Sequence, residues 1–174
     1  MNPAVVGTSA AVAFSVFLPW IEMQAPFGGE SVAFTPWMVV EPMFNPTEGR
    51  QAMDPASMPP IVWLFFSSFA VSALICLSAL LGKARWWEVV LTGAIPFAVV
   101  IWAIGGVVVE LDRSGLPARD LIDATRMFGV NARSLDGLFS ELAKVLGVGF
   151  YLHYTAAALL VAFGFTMRES EVTT

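Results

Sequence analysis

The pattern along this chain is set by where charge is missing. No Lys, Arg, Asp or Glu occurs in residues 1–21, 55–82, 89–109 or 145–167, and each window is apolar almost throughout. Crossing the hydrocarbon core of a bilayer takes about 20 apolar residues in a helix, and every window supplies them. Within lipid the backbone must satisfy its own N–H and C=O groups, which a helix does inside one segment. The windows are continuously apolar, without the alternation of a membrane β-barrel. They predict an all-α integral membrane protein, a four-transmembrane-helix bundle with spans at about 3–21, 60–82, 88–109 and 145–167. Residues 1–174 then form a single membrane domain.

The connections alternate in length. Residues 22–59 make a long loop, 83–87 a tight hairpin, and 110–144 a second long loop. Four crossings put both long loops on one side, and the hairpin and both chain ends on the other. The first window lacks the basic start and small-residue cleavage site of a signal peptide, so it is expected to stay as a helix. Pro19 should close that helix and Trp20 should sit at the membrane interface. The two halves share the order span, loop, span, with no repeat at the level of residues.

The loops are not polar linkers. The first carries Phe27, Phe34, Trp37, Met38, Val39, Val40, Met43 and Phe44, punctuated by Pro26, Pro36, Pro42 and Pro46. Residues 31–40 have the composition of a short strand or hairpin, with Pro36 confining it to an edge. Side chains this large are costly in water, so the loop is expected to cap the bundle, lie among headgroups or meet another subunit. Trp37, Phe34 and Phe44 are the candidate contacts. In the second loop, Pro117 suits a first helical turn, and Leu121, Ile122, Met127 and Phe128 follow on a helical period. That loop should contain an amphipathic helix on the membrane surface, with Ser134 capping a further segment that leads into the fourth span.

Helices in lipid gain no hydrophobic drive from association, so close packing rests on small residues at matched spacing. Each expected span has such a stripe: Gly7, Ala11 and Ser15; Ser68, Ser72, Cys76 and Ala79; Ala94, Ala98 and Gly105; Gly149, His153, Ala157 and Gly164. Pro96 should bend the third span. Cys76 is the only cysteine, reads as a small packed hydrophobe and cannot form an intrachain disulfide.

Composition sharpens the class. The chain is 57% hydrophobic and only 13% charged, against about 25% charged in an average globular protein. A net charge of −5 offers no basic surface for nucleic acid. Six basic residues, Arg50, Arg113, Arg119, Arg126, Arg133 and Lys144, fall on the loop side, and three, Lys83, Arg85 and Arg168, on the hairpin side. A plain count of Lys and Arg would put the long loops in the cytoplasm. The first loop, however, sets Glu22, Glu30, Glu41, Glu48 and Asp54 against one Arg, and the hairpin packs Lys83 and Arg85 beside Trp86 and Trp87. We read both termini as cytoplasmic, in a bacterial cytoplasmic (inner) membrane.

The available chemistry is narrow. No Asp, Glu, Lys or Arg lies inside a span, where proton relays, carboxylate sodium sites and voltage sensors would need them. Glu88 and Glu110 mark the ends of the third span. The sequence has no metal-ligand cluster, G-x-S-x-G elbow, phosphate loop or C-x-x-C pair. The one histidine, His153, stands out, with Gly149 and Ala157 a turn away on its own helix face. Over residues 149–157 this spacing resembles that of antenna polypeptides, where a small residue precedes the liganding histidine by four. The resemblance implies a magnesium or iron macrocycle held by His153, although four spans and two large loops depart from the antenna pattern. The plainer expectation is an imidazole hydrogen-bonded to a neighbouring helix, at Ser68 or Ser72. Trp102 and Phe97 could line a groove for lipid or quinone, or simply be packed aromatics.

The expected function is that of a non-catalytic accessory subunit in a larger membrane protein complex, bacterial and energy-transducing, with other integral membrane subunits and lipid as partners. No cofactor is required by the sequence. One alternative is a cofactor- or pigment-binding subunit using His153; another is a small membrane subunit of a multi-component transporter.

Overall fold

The computed structural model describes residues 2–23, 31–44, 58–114 and 143–172. Helix α1 (Pro3–Phe14) runs into a 3-10 turn (Ser15–Phe17), and two short strands, β1 (Ile21–Met23) and β2 (Val32–Phe34), lead to helix α2 (Trp37–Phe44). Three long helices follow: α3 (Pro60–Leu80), α4 (Trp86–Ser114) and α5 (Val148–Val172). The surface helix expected after Pro117 and the cap expected at Ser134 lie outside the described residues.

Among the described residues three helices, not four, are long and apolar enough to cross a membrane: Pro60–Leu80, Trp86–Ala103 and Val148–Ser170. They mark the chain as an integral membrane protein. The expected first span, 3–21, is corrected, because its helical turns cover only Pro3–Phe17. That is a rise of about 24 Å, against about 30 Å of hydrocarbon. Pro19 is the cause, and it acts earlier than expected. It has no N–H for the Ser15 carbonyl and its ring would clash there, and it forces the preceding Leu18 into an extended conformation (φ −88°, ψ 155°).

Backbone that leaves a helix at this depth needs protein partners, and it has them. The Pro19 carbonyl accepts from Gly149 N–H at 2.7 Å, the Trp20 carbonyl from Gly147 N–H at 2.8 Å, and Trp20 N–H donates to the Phe34 carbonyl at 2.8 Å. β1 pairs antiparallel with β2, Ile21 opposite Phe34, while Ile21 also bridges to Leu146. The strand expected over 31–40 is thus limited to Val32–Phe34. Pro36 does not sit on a strand edge; it opens helix α2, where Thr35 Oγ1 accepts from Met38 N–H at 3.4 Å.

The other helix ends follow their sequence. The Asn2 side chain caps α1 by accepting from Ala4 and Val5 N–H. Gly82 ends α3 with φ 68°, and Lys83 N–H donates to the Ser78 carbonyl at 2.8 Å, a Schellman closure that needs glycine's positive φ. Glu88 reaches back to Arg85 N–H at 3.0 Å and caps α4.

α1 packs on α3 and α5, and α4 packs on the same two helices. The helices form a four-membered ring with up-down-up-down direction around a core of Val5, Val12, Ile75, Ala79, Val89, Ala156, Ala157 and Leu160. Two of the expected small-residue stripes face this core. Ser68, Ser72 and Ala79 are buried on α3, and Gly149, His153, Ala157 and Gly164 on α5. The other two hold only in part. On α1, Ser15 is buried and Ala11 packs against the core, but Gly7 faces outward while Val5, Ser9 and Val12 are buried; on α4, Ala98 and Gly105 are exposed while Thr92, Gly93 and Pro96 are buried. A 3.6-residue period leaves a helix's phase open when both faces are apolar.

α4 and α5 approach most closely through reciprocal glycines. A Cβ on Gly93 would stand 2.6 Å from the Ala157 carbonyl oxygen, and one on Gly164 would stand 2.5 Å from Val90. A Gly93→Leu chain should therefore lose about 1–3 kcal/mol of stability, read as a lower SDS mole fraction at half-unfolding by circular dichroism. Gly105, with nothing within 4 Å of an added Cβ, should accept alanine without loss.

Candidate functional site

Two features stand apart from ordinary helix packing: a polar and aromatic lock in the core, and an apolar recess on the outer face.

The lock centres on Ser15. Its carbonyl, freed from helix bonding by Pro19, accepts from Leu18 N–H at 3.1 Å and from the Trp20 indole N–H at 2.8 Å. Its hydroxyl donates to the Val12 carbonyl at 2.6 Å and meets His153 Nδ1 at 2.9 Å. With the Ser15 hydroxyl donating to Val12, the tautomer that completes the set carries the imidazole proton on Nδ1, donates it to Oγ and leaves Nε2 as an acceptor. Ser15 and His153 are both wholly buried.

Trp20 is the hub of the aromatic part. It meets Phe65 at 5.1 Å, Phe69 at 5.8 Å, Phe150 at 5.7 Å and the His153 ring at 4.9 Å between centroids. Phe69 lies 4.8 Å from the same imidazole. Edge-on packing of this kind suits the ring quadrupoles. Trp20, expected at the membrane interface, is half-buried and packs on these rings, where the extended Leu18-Pro19 step places it.

His153 does bond to a neighbouring helix, but the partner differs from the expected Ser68 or Ser72. Ser68 is buried and donates to its own helix at the Phe65 carbonyl, 2.6 Å away. Ser72 Oγ is buried with no partner, as is His153 Nε2. An axial ligand to a macrocycle would need an open slot beside Gly149 or Ala157. Trp20 Cδ1 lies 2.5 Å from where a Gly149 Cβ would stand, and α4 packs against Ala157 at Gly93. Both small residues therefore pack against the chain's own groups, Gly149 against Trp20 and Ala157 against α4 at Gly93.

The recess lies between α1 and α3 beneath α2, with a cavity volume of about 720 Å³. Ala10 and Ala13 of α1 face Ala70 and Ala73 of α3, and Phe17, Trp37 and Trp63 wall it towards the loop end. Trp37 packs on Phe17 at 5.1 Å. Cys76, expected to be buried, lines this recess half-exposed and donates its thiol to the Val6 carbonyl at 3.6 Å. Of the other candidate contacts, Phe34 is 43% exposed on β2, and Phe44 is the last residue of α2. Trp102 and Phe97 do not line the recess; Trp102 is exposed on α4 and Phe97 packs on Tyr154 at 5.7 Å.

Sequence reasoning placed His153 in a packing stripe but missed Ser15 and Trp20 as its companions. The available signal was Pro19, which orphans the carbonyl four residues before it. Compared with protein-family models, curated proteins and solved structures, the chain matches none.

Removing the hub should cost far more than removing the histidine. Trp20→Ala is expected to lose about 3–5 kcal/mol, the range for a large aromatic in a packed core. His153→Leu gives up its one direct interhelical hydrogen bond, to Ser15, about 0.6 kcal/mol in membrane helices. Equilibrium unfolding in mixed micelles would rank the two, and equal losses would contradict the assigned roles.

Proposed function

We propose that this chain is a non-catalytic accessory subunit of a larger membrane protein complex, seated by a partner's transmembrane helix lying along the α1–α3 recess. The observation that carries this reading is the recess itself, an apolar trough that runs along α1 from Ala10 to Phe17 and along α3 from Trp63 to Leu77 and that neither helix fills.

The lining favours a helix as the occupant. Ala10 and Ala13, and opposite them Ala70 and Ala73, repeat at helical spacing and permit close backbone approach, the usual basis of helix association in lipid. Phe14, 66% exposed, and Trp63, 44% exposed, flank this small-residue floor as anchors. Trp37 and Val40 of α2 lie at its loop end, so the segment held apolar by sequence takes part in the same surface. Lipid then covers the remaining apolar faces.

The hairpin end supports cytoplasmic termini. Arg168 stacks over the Trp86 ring at 5.2 Å, next to Lys83 and Arg85, a basic and aromatic edge of the kind found on the cytoplasmic face.

A photo-crosslinker placed at Ala73 in native membranes should join the chain to another integral membrane protein, while one at Leu159, exposed on α5, should do so far less. Adducts to lipid alone at Ala73 would sink the accessory-subunit reading. Trp37→Asp should weaken assembly by about 2 kcal/mol or more, the scale of a buried aromatic anchor, with Lys83→Glu close to neutral in the same co-purification.

A further inference from the structure

We propose that the centre of the bundle binds one internal water molecule, held between His153 Nε2 on α5 and Ser72 Oγ on α3. Both atoms are buried, neither has a hydrogen-bond partner in the protein, and neither bonds to the other. Their residues are fully buried, at 0% exposure each. Buried polar atoms are almost always satisfied by protein or by ordered water, and two orphans in one core call for a shared explanation.

The placement suits a bridge. Phe69 touches the imidazole, and Ser72 follows Phe69 by one turn on the same buried face of α3. The next buried positions along α5 from His153 are the small Ala156 and Ala157. The chemistry selects water over an ion. Nε2, left bare by the Ser15 bond to Nδ1, needs a donor, and the Ser72 hydroxyl can either give or accept. A cation would find no carboxylate, since no span contains Asp or Glu at this depth, and an anion would face the Nε2 lone pair. A neutral molecule with two donors and two acceptors fits both atoms. The bridge would join α3 to α5, which sit across the ring from each other.

The chain has a single histidine, so its imidazole gives one set of nitrogen signals. Full-length protein labelled with ¹⁵N-histidine and reconstituted in lipid nanodiscs should show a protonated Nδ1 and an unprotonated, hydrogen-bonded Nε2. It should also show a magnetisation-transfer peak from Nε2 neighbours to a slowly exchanging water. Ser72→Ala should abolish that peak, and Ser67→Ala, in the recess, should leave it unchanged. A proton on Nε2, or an unprotonated Nε2 without a water peak in the wild-type chain, overturns the proposal, whatever the variants do. A water peak that survives Ser72→Ala in full overturns the bridge.

Discussion

The carbonyl of Ser15 is the constraint around which the loop end of this molecule is organised. Pro19 removes the donor that a helix would have offered it, and a carbonyl left bare at this depth would be costly. The indole N–H of Trp20 takes the vacated role, which is possible only because Leu18 turns extended ahead of the proline. One substitution-sensitive bond thus ends α1, places Trp20 and aligns the Pro19 and Trp20 carbonyls with the N–H groups of Gly149 and Gly147. Those two glycines are where α5 begins, so the end of the first helix sets the start of the last.

Glycine at 147 and 149 follows from the same geometry. Trp20 Cδ1 and the Pro19 carbonyl approach α5 so closely that a side chain on Gly149 would collide with both. The Gly149 spacing before His153, which in the sequence suggests room for a flat ligand, is filled by the chain's own indole. The same small residue serves either purpose, and sequence spacing alone does not say which ring occupies the room.

Much of the fold was legible. Charge-free windows locate α3, α4 and α5, because only continuous apolar helices satisfy their backbone in lipid. Gly82 and Glu88 mark the tight α3–α4 turn through conformations and caps that few residues supply. The first helix was overestimated because apolar length was counted through Pro19, which cannot continue it. The face of α4 and the Gly7 end of α1 were misphased since outward-facing and core-facing residues are alike in polarity; polar side chains such as Ser9, Thr92 and His153, all buried, carried the phase. Within the site, His153 was found by its rarity. Its bond to Ser15 was not, as it depends on how far α1 rises before it ends, which is a tertiary quantity.

The short first helix also changes the outer surface of the molecule. α3, α4 and α5 present helix along their whole apolar length, whereas α1 with its 3-10 turn rises about 24 Å, about 6 Å less than the hydrocarbon thickness. Beyond Phe17 the chain continues outward with exposed apolar Ile21, Val32, Phe34 and Met38 of the strands and α2. A proline four residues past a serine thereby hands part of the apolar exterior from a helix to a sheet.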